Sequence, residues 1–179
     1  MLVDGKQIRP IWLDDDRTMV KVIDQRQLPH RFVVADLTTV DQVIHAIREM
    51  FVRGAPLIGV TGAYGVMVAA LNGQTAGDHR GFIQQECERL KAARPTAVNL
   101  AWGVDRVREK VLAAGTAADC IDAARDEAAA IAEEELAKQY YNDEIGTDEF
   151  VADIDNPGSQ GSVYSGSHTG PGGTIEAFV

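Results

Sequence analysis

Metal, redox and nucleic-acid chemistry find little to work with in this chain. Cysteine occurs twice in 179 residues, at Cys87 and Cys120, with no CxxC pair and no histidine at metal-ligand spacing from either. That excludes the common zinc patterns, so no metal and no cofactor is expected. A chain of this size does not depend on a disulfide, and both thiols read as reduced core residues. Positive charge is short: 17 Lys and Arg stand against 27 Asp and Glu, a net charge of −10. Such a surface repels nucleic acid and anionic membranes, and neither is expected as a partner. Long hydrophobic runs are missing too. The stretch from Leu57 to Leu71 is too short and too rich in glycine for an ordinary membrane span, and the first residues carry no apolar leader. The expected location is cytoplasmic.

What is present divides by period. The first forty residues read as strands: Gln7 to Leu13, Thr18 to Asp24 with Val20 and Val22 alternating against Lys21, and Arg31 to Ala35. The links between them are too short for crossover helices, which predicts a small antiparallel sheet. From Thr38 the period becomes helical. Thr39 and Gln42 make a capping box, Val40, Val43, Ile44, Ile47 and Phe51 form one apolar face, and Gly54 is the expected stop. A second helix opens near Pro56 and is apolar nearly all round, with Gly59, Gly62 and Gly65 leaving room for another backbone. Three more follow, striped by Ile83, Cys87 and Leu90, by Leu100 to Val111, and by Ile121 to Ile131. The fold class is therefore α+β, a small N-terminal antiparallel sheet followed by a helical bundle.

After Asn142 the composition changes. Residues 143–179 hold no Lys or Arg but 7 of the 27 acids, and Gly and Ser crowd the end. Such a segment buries too little apolar surface to offset its ordering entropy. The expected organisation is a domain over 1–142 and an acidic Gly/Ser-rich tail over 143–179, loose or ordered only against a partner.

Two places combine the same parts. Arg53-Gly54-Ala55-Pro56 and Arg94-Pro95-Thr96 each join the end of one helix to the start of the next. Unpaired amides and the positive end of the helix dipole attract phosphate there, and an arginine adds a planar fork for two phosphate oxygens. Arginine near a helix end also serves simply to complement the dipole, and Gly followed by Pro is ordinary punctuation. No residue pair reads as catalytic. Cys87 lies on the apolar stripe of its helix, which argues against a nucleophile. Gly59-x-x-Gly62-x-x-Gly65 falls inside a helix and is not the dinucleotide fingerprint. The four histidines, His30, His45, His79 and His168, are scattered and read as surface or turn residues.

The run Glu49-Met50-Phe51-Val52-Arg53-Gly54-Ala55-Pro56-Leu57-Ile58-Gly59 closely resembles a signature of the methylthioribose-1-phosphate isomerase family. Ile23-Asp24-Gln25-Arg26-Gln27-Leu28-Pro29, Ala63-Tyr64-Gly65 and Arg94-Pro95-Thr96-Ala97-Val98-Asn99-Leu100 match in the same order, and Trp12 also fits. The likeness runs from about Lys6 to about Gly146. Related families are the ribose-1,5-bisphosphate isomerases and the regulatory subunits of a translation initiation exchange factor.

The resemblance implies a cofactor-independent aldose–ketose isomerisation of 5-methylthioribose 1-phosphate in methionine salvage. It implies substrate contacts from Arg53, Gly54, Ala55 and Arg94. The family's catalytic Cys, in a Thr-His-Cys-Asn-Ala-Gly run, and its Asp belong to a Rossmann-like C-terminal domain with no counterpart in residues 1–179. The expectation is a substrate-binding front portion, truncated, without catalytic residues and inactive alone. The alternative is a non-catalytic interaction module related to the initiation-factor subunits. Loss of the second domain would expose apolar surface and favour a homo-oligomer.

Overall fold

The computed structural model describes the backbone of residues 2–3, 6–7 and 9–144 and the side chains of 9–135. The chain divides into two compact units, Met1–Glu135 and Leu136–Val179. Most of the acidic tail expected over 143–179, with His168, lies outside the described residues.

The first unit opens with a short hairpin, β1 (Leu2–Val3) against β2 (Lys6–Gln7), which the sequence pattern did not announce. A three-stranded antiparallel sheet follows in the order β3 (Ile11–Leu13), β4 (Val20–Ile23), β5 (Val34–Leu37). Val20 faces Leu13 and Leu37 across the sheet, and Val22 faces Ile11 and Ala35. Alternation in β4 thus sets the register, because a one-residue slip would turn Val20 and Val22, both fully buried, away from the helices. The third strand begins three residues later than expected, at Val34 rather than Arg31. The preceding stretch is used up in a turn in which Arg31 donates its N–H to the Gln27 carbonyl.

Five helices follow: α1 (Val40–Arg48), α2 (Ala55–Asn72), α3 (His79–Lys91), α4 (Val98–Ala113) and α5 (Ala117–Glu144). The end of α1 corrects the sequence expectation. Gly54 does not stop it, and Phe51 is not on it. Met50 takes the left-handed conformation (φ 61°), its N–H reaches Ile47 O, and the Phe51 N–H reaches Ala46 O at 2.9 Å. This double bond is a Schellman closure, with methionine in the place glycine usually fills. Gly54 instead starts α2.

Helix α2 is the axis of the unit. Its thirteen residues from Ile58 to Ala70 are all buried, so it packs on every side rather than along one stripe. By length and composition alone its 18 residues would suffice to cross a membrane, contrary to the expectation from Leu57–Leu71, but 72% of it is buried within the fold. The glycine row meets its neighbours as expected. A methyl group at Gly62 would strike Leu100 and Val104 of α4, and one at Gly65 would strike Leu90 of α3. Helix α5 is fastened to α4 by Arg106, which holds Glu127 at 2.6 Å and both oxygens of Glu134.

Candidate functional site

The helix starts fall into two kinds. At α1, Thr39 Oγ1 accepts the Gln42 N–H at 3.3 Å while Gln42 Oε1 accepts the Thr39 N–H at 3.1 Å. At α3, Asp78 accepts the Gly81 N–H at 2.9 Å. Before α5, Thr116 and Asp119 exchange the same pair of bonds, at 2.8 and 3.2 Å. Helices α2 and α4 have no such arrangement. Their N-caps are Gly54 and Ala97, which lack a side chain able to accept. The N–H groups of Gly54, Ala55, Leu57, Val98 and Asn99 make no hydrogen bond among the described residues. These are the donors that a helix cannot satisfy internally, and they carry its partial positive charge.

The two uncapped starts are neighbours. Gly59 is the fifth residue of α2, so Ala55 lies about 6 Å along the axis from it at 1.5 Å per residue. A methyl at Gly59 would lie 2.9 Å from Asn99 O, in the first turn of α4, and one at Gly103 would collide with Gly59 O. Each helix therefore crosses the other roughly one turn from its own beginning, backbone against backbone. The structure thus brings the Arg53-Gly54-Ala55 corner and the turn entering α4 to the same end of one helix pair. Arg94 belongs to that turn, which the Ala97 N–H closes by bonding to Arg94 O at 3.0 Å.

The arginines themselves are uncommitted. Most described cations are tied down, as in Arg9 to Glu133, Lys21 to Asp36, Lys91 to Asp105 and Arg125 to Asp122. Neither Arg53, which is exposed, nor Arg94, which is half-buried, makes an ion pair or side-chain hydrogen bond among the described residues. Gly54 has φ 89° and ψ 139°, a backbone state that side chains oppose, and a methyl there would meet nothing within 4 Å. The demand for glycine is thus conformational, and the space over it is open.

One participant was missed at the level of sequence. Gln25, in the turn after β4, accepts the Arg53 N–H on Oε1 at 3.1 Å and donates its own N–H to Phe51 O at 2.9 Å. Beside it the buried Asp24 carboxylate takes two bonds from the Arg26 guanidinium, at 2.8 and 2.9 Å. That guanidinium holds the Asp24 carboxyl below its ordinary range, against the opposing effect of burial. It also lies 3.9 Å over the Phe51 ring. Nothing in local spacing tells that residue 25 reaches residue 53; only its presence in the Asp24-Gln25-Arg26 match hinted at a role.

The remaining candidates are structural. Cys87 is fully buried and burial pushes its thiol up to about 12, so it stays protonated and inert at neutral pH. Cys120 donates to Val111 O at 3.4 Å. His30 and His45 are exposed as expected. His79 is not a plain surface residue: its Nδ1 lies 2.8 Å from Gly73 O and its Nε2 is buried without a partner. A carbonyl accepts, so the proton sits on Nδ1.

With that geometry in hand, known proteins place the chain. Residues 51–156 match the initiation factor 2 subunit family. The methylthioribose-1-phosphate isomerase of Desulfosudis oleivorans is 61% identical over 133 residues, 74% of this chain and 36% of its own length. That of Desulfatibacillum aliphaticivorans is 47% identical over 137 residues, 76% and 37% of the two. Among solved structures, translation initiation factor eIF-2B subunit delta from A. fulgidus superposes with a TM-score of 0.69 at 32% identity, over 73% of this chain and 38% of that one. The 5-methylthioribose 1-phosphate isomerase from Pyrococcus horikoshii gives 0.65 at 32%, over 72% and 37%. The chain spans a little over a third of the length of these relatives, 36% in the first case. It belongs to the initiation factor 2 subunit family, and its curated relatives there are methylthioribose-1-phosphate isomerases.

Proposed function

We propose that this chain is the substrate-anchoring part of an S-methyl-5-thioribose-1-phosphate isomerase of methionine salvage, acting in the cytoplasm without a cofactor. Arg53 and Arg94 grip the phosphate of the sugar, and the amides of Gly54 and Ala55 complete its shell. The observation that carries this reading is the pair of adjacent helix starts left uncapped while the other three are capped. An anion supplies at α2 and α4 what Thr39, Asp78 and Thr116 supply elsewhere. Arg53 and Arg94, in the turns that lead into these helices and without a carboxylate partner among the described residues, agree with it.

The proton or hydride shift between the first two sugar carbons needs a positioned acid and base. Among the described residues no side chain at this site offers such a pair, so on this reading the chain binds and orients the substrate without turning it over. Calorimetric titration with methylthioribose 1-phosphate tests both halves. Binding that weakens at least tenfold in Arg94→Ala, with no ketose formed, is the expected outcome. Equal affinity in the variant sinks the anchor, and ketose produced by the purified chain sinks the division of labour.

A second reading, a non-catalytic interaction module, has its own observation. Val98 and Trp102 stand one turn apart on α4 with 78% and 39% of their surface exposed, and the unit superposes well on the initiation factor subunit. On this reading the chain self-associates through that strip. Light scattering at high concentration decides: a mass of twice 19.3 kDa or more favours it, and a clean monomer removes it.

A further inference from the structure

The Gln25 side chain spans 28 positions of sequence to take up one backbone N–H, that of Arg53. The backbone N–H of Gln25 simultaneously donates to Phe51 O. The two bonds bracket Val52, which is fully buried, so residues 51–53 are fixed by a core side chain in the middle and by Gln25 at both ends. Asp24 and Arg26 stiffen the support. The Asp24 N–H is spent on Val33 O at 2.9 Å, which ties the turn to the chain entering β5. Arg26, held on the Asp24 carboxylate, covers the Phe51 ring.

We infer that Gln25 is a positioning residue for the phosphate corner: by engaging the Arg53 amide it fixes the entry into Gly54 and aims the free amides beyond it. The inference rests on the proposed anion site. Its physical content is a matter of which donors remain. The N–H of Arg53 would otherwise compete for the anion from the wrong side of Gly54. Once Gln25 occupies it, the donors left are those of Gly54, Ala55 and Leu57, since Pro56 has none. Gly54, at φ 89°, is the most pliable point of this segment. A glycine there requires a fixed residue before it, or the corner samples many shapes and binds weakly.

Amide-resolved NMR of the 15N-labelled chain, titrated with inorganic phosphate and with ribose 5-phosphate, tests the assignment. Three forms are compared: the natural chain, Gln25→Met, which keeps the length but has no acceptor oxygen, and Gln25→Glu, which keeps the acceptor. In the natural chain the Gly54 and Ala55 amides shift saturably and the Arg53 amide is protected from exchange. In Gln25→Met the expected result is loss of Arg53 protection and about five- to tenfold weaker phosphate binding, the scale of one net hydrogen bond. The α5 amides, Ala128 among them, should keep their positions. Gln25→Glu should retain the Arg53 protection, a rescue that separates the acceptor from mere bulk and that is read even if Gln25→Met fails to fold. If Gln25→Met binds phosphate as tightly as the natural chain, or Gln25→Glu loses the protection, the positioning role is overturned while the anion site stands. If the natural chain shows no shift at Gly54 and Ala55, the anion site itself falls and this role with it.

Discussion

Helices α2 and α4 on the one hand, and α1, α3 and the start of α5 on the other, share one unit, yet they begin in opposite ways. The second group starts on Thr39, Asp78 and Thr116, each closing its own first turn with a side-chain oxygen. The first starts on Gly54 and Ala97 and leaves its donors open. Capping is cheap for evolution to supply, because one Ser, Thr, Asp or Asn suffices. Two neighbouring helices forgo it, and Arg53 and Arg94 in the turns that lead into them have no carboxylate partner among the described residues; the proposed anion site accounts for the local stability given up there. Such local inconsistency within an otherwise consistent sequence is where function is expected to sit.

The comparison can be broken at several points. The largest effect belongs to the contact that keeps the open starts together. Leu100, fully buried, packs against Gly62, and Leu100→Ala should cost about 2–5 kcal/mol of stability in chemical denaturation. Gly103→Ala is next: its methyl group would meet the Gly59 carbonyl, a backbone atom that cannot rotate aside. A loss of about 1–3 kcal/mol is expected, and anion affinity should fall with it as the helix starts are pried apart. A smaller change reverses the logic of the comparison. Ala97 has the extended backbone of an N-cap residue, so Ala97→Ser should stabilise α4 by roughly 1 kcal/mol while weakening phosphate binding. Thr39→Ala should cost roughly as much and leave phosphate binding alone. If Ala97→Ser raises the melting temperature and leaves affinity untouched, the open donors of α4 are not used by the ligand.

The last effect is absent at neutral pH and appears only in alkaline solution. Cys87 is held protonated in the fold up to about 12, whereas an exposed thiol ionises near 8.5. Above about pH 8.5 the unfolded chain loses a proton that the folded chain keeps, so stability should decline from there towards pH 12. Denaturation midpoints of Cys87→Ala should lack this share of the slope.

Much of this was legible in the sequence. The switch from period 2 to helical period at Thr38, the Thr39–Gln42 box and the glycine row of α2 are local signals, and local signals survive into the fold. The arginine corners were legible as paired motifs. What escaped depends on distant parts. Met50, an ordinary helix residue by propensity, is left-handed where the chain leaves α1 to set Phe51 under Arg26 and against the Gln25 N–H; no pattern within one turn of α1 contains that information. The β1–β2 hairpin consists of two-residue strands, too short to show any alternation. The bond from Gln25 to Arg53 joins residues on either side of β5 and α1, so only folding reveals it.

Where α2 and α4 cross, a carbonyl of one faces the bare Cα of the other. No rotamer can widen or narrow that contact, so the distance between the turns that open α2 and α4 behaves as a fixed gauge rather than an adjustable jaw. On the proposed reading, a ligand too bulky for it would be refused without any side chain having to move. On that reading, selection for a different ligand would have to act on groups around the gauge, leaving Gly59 and Gly103 as they are.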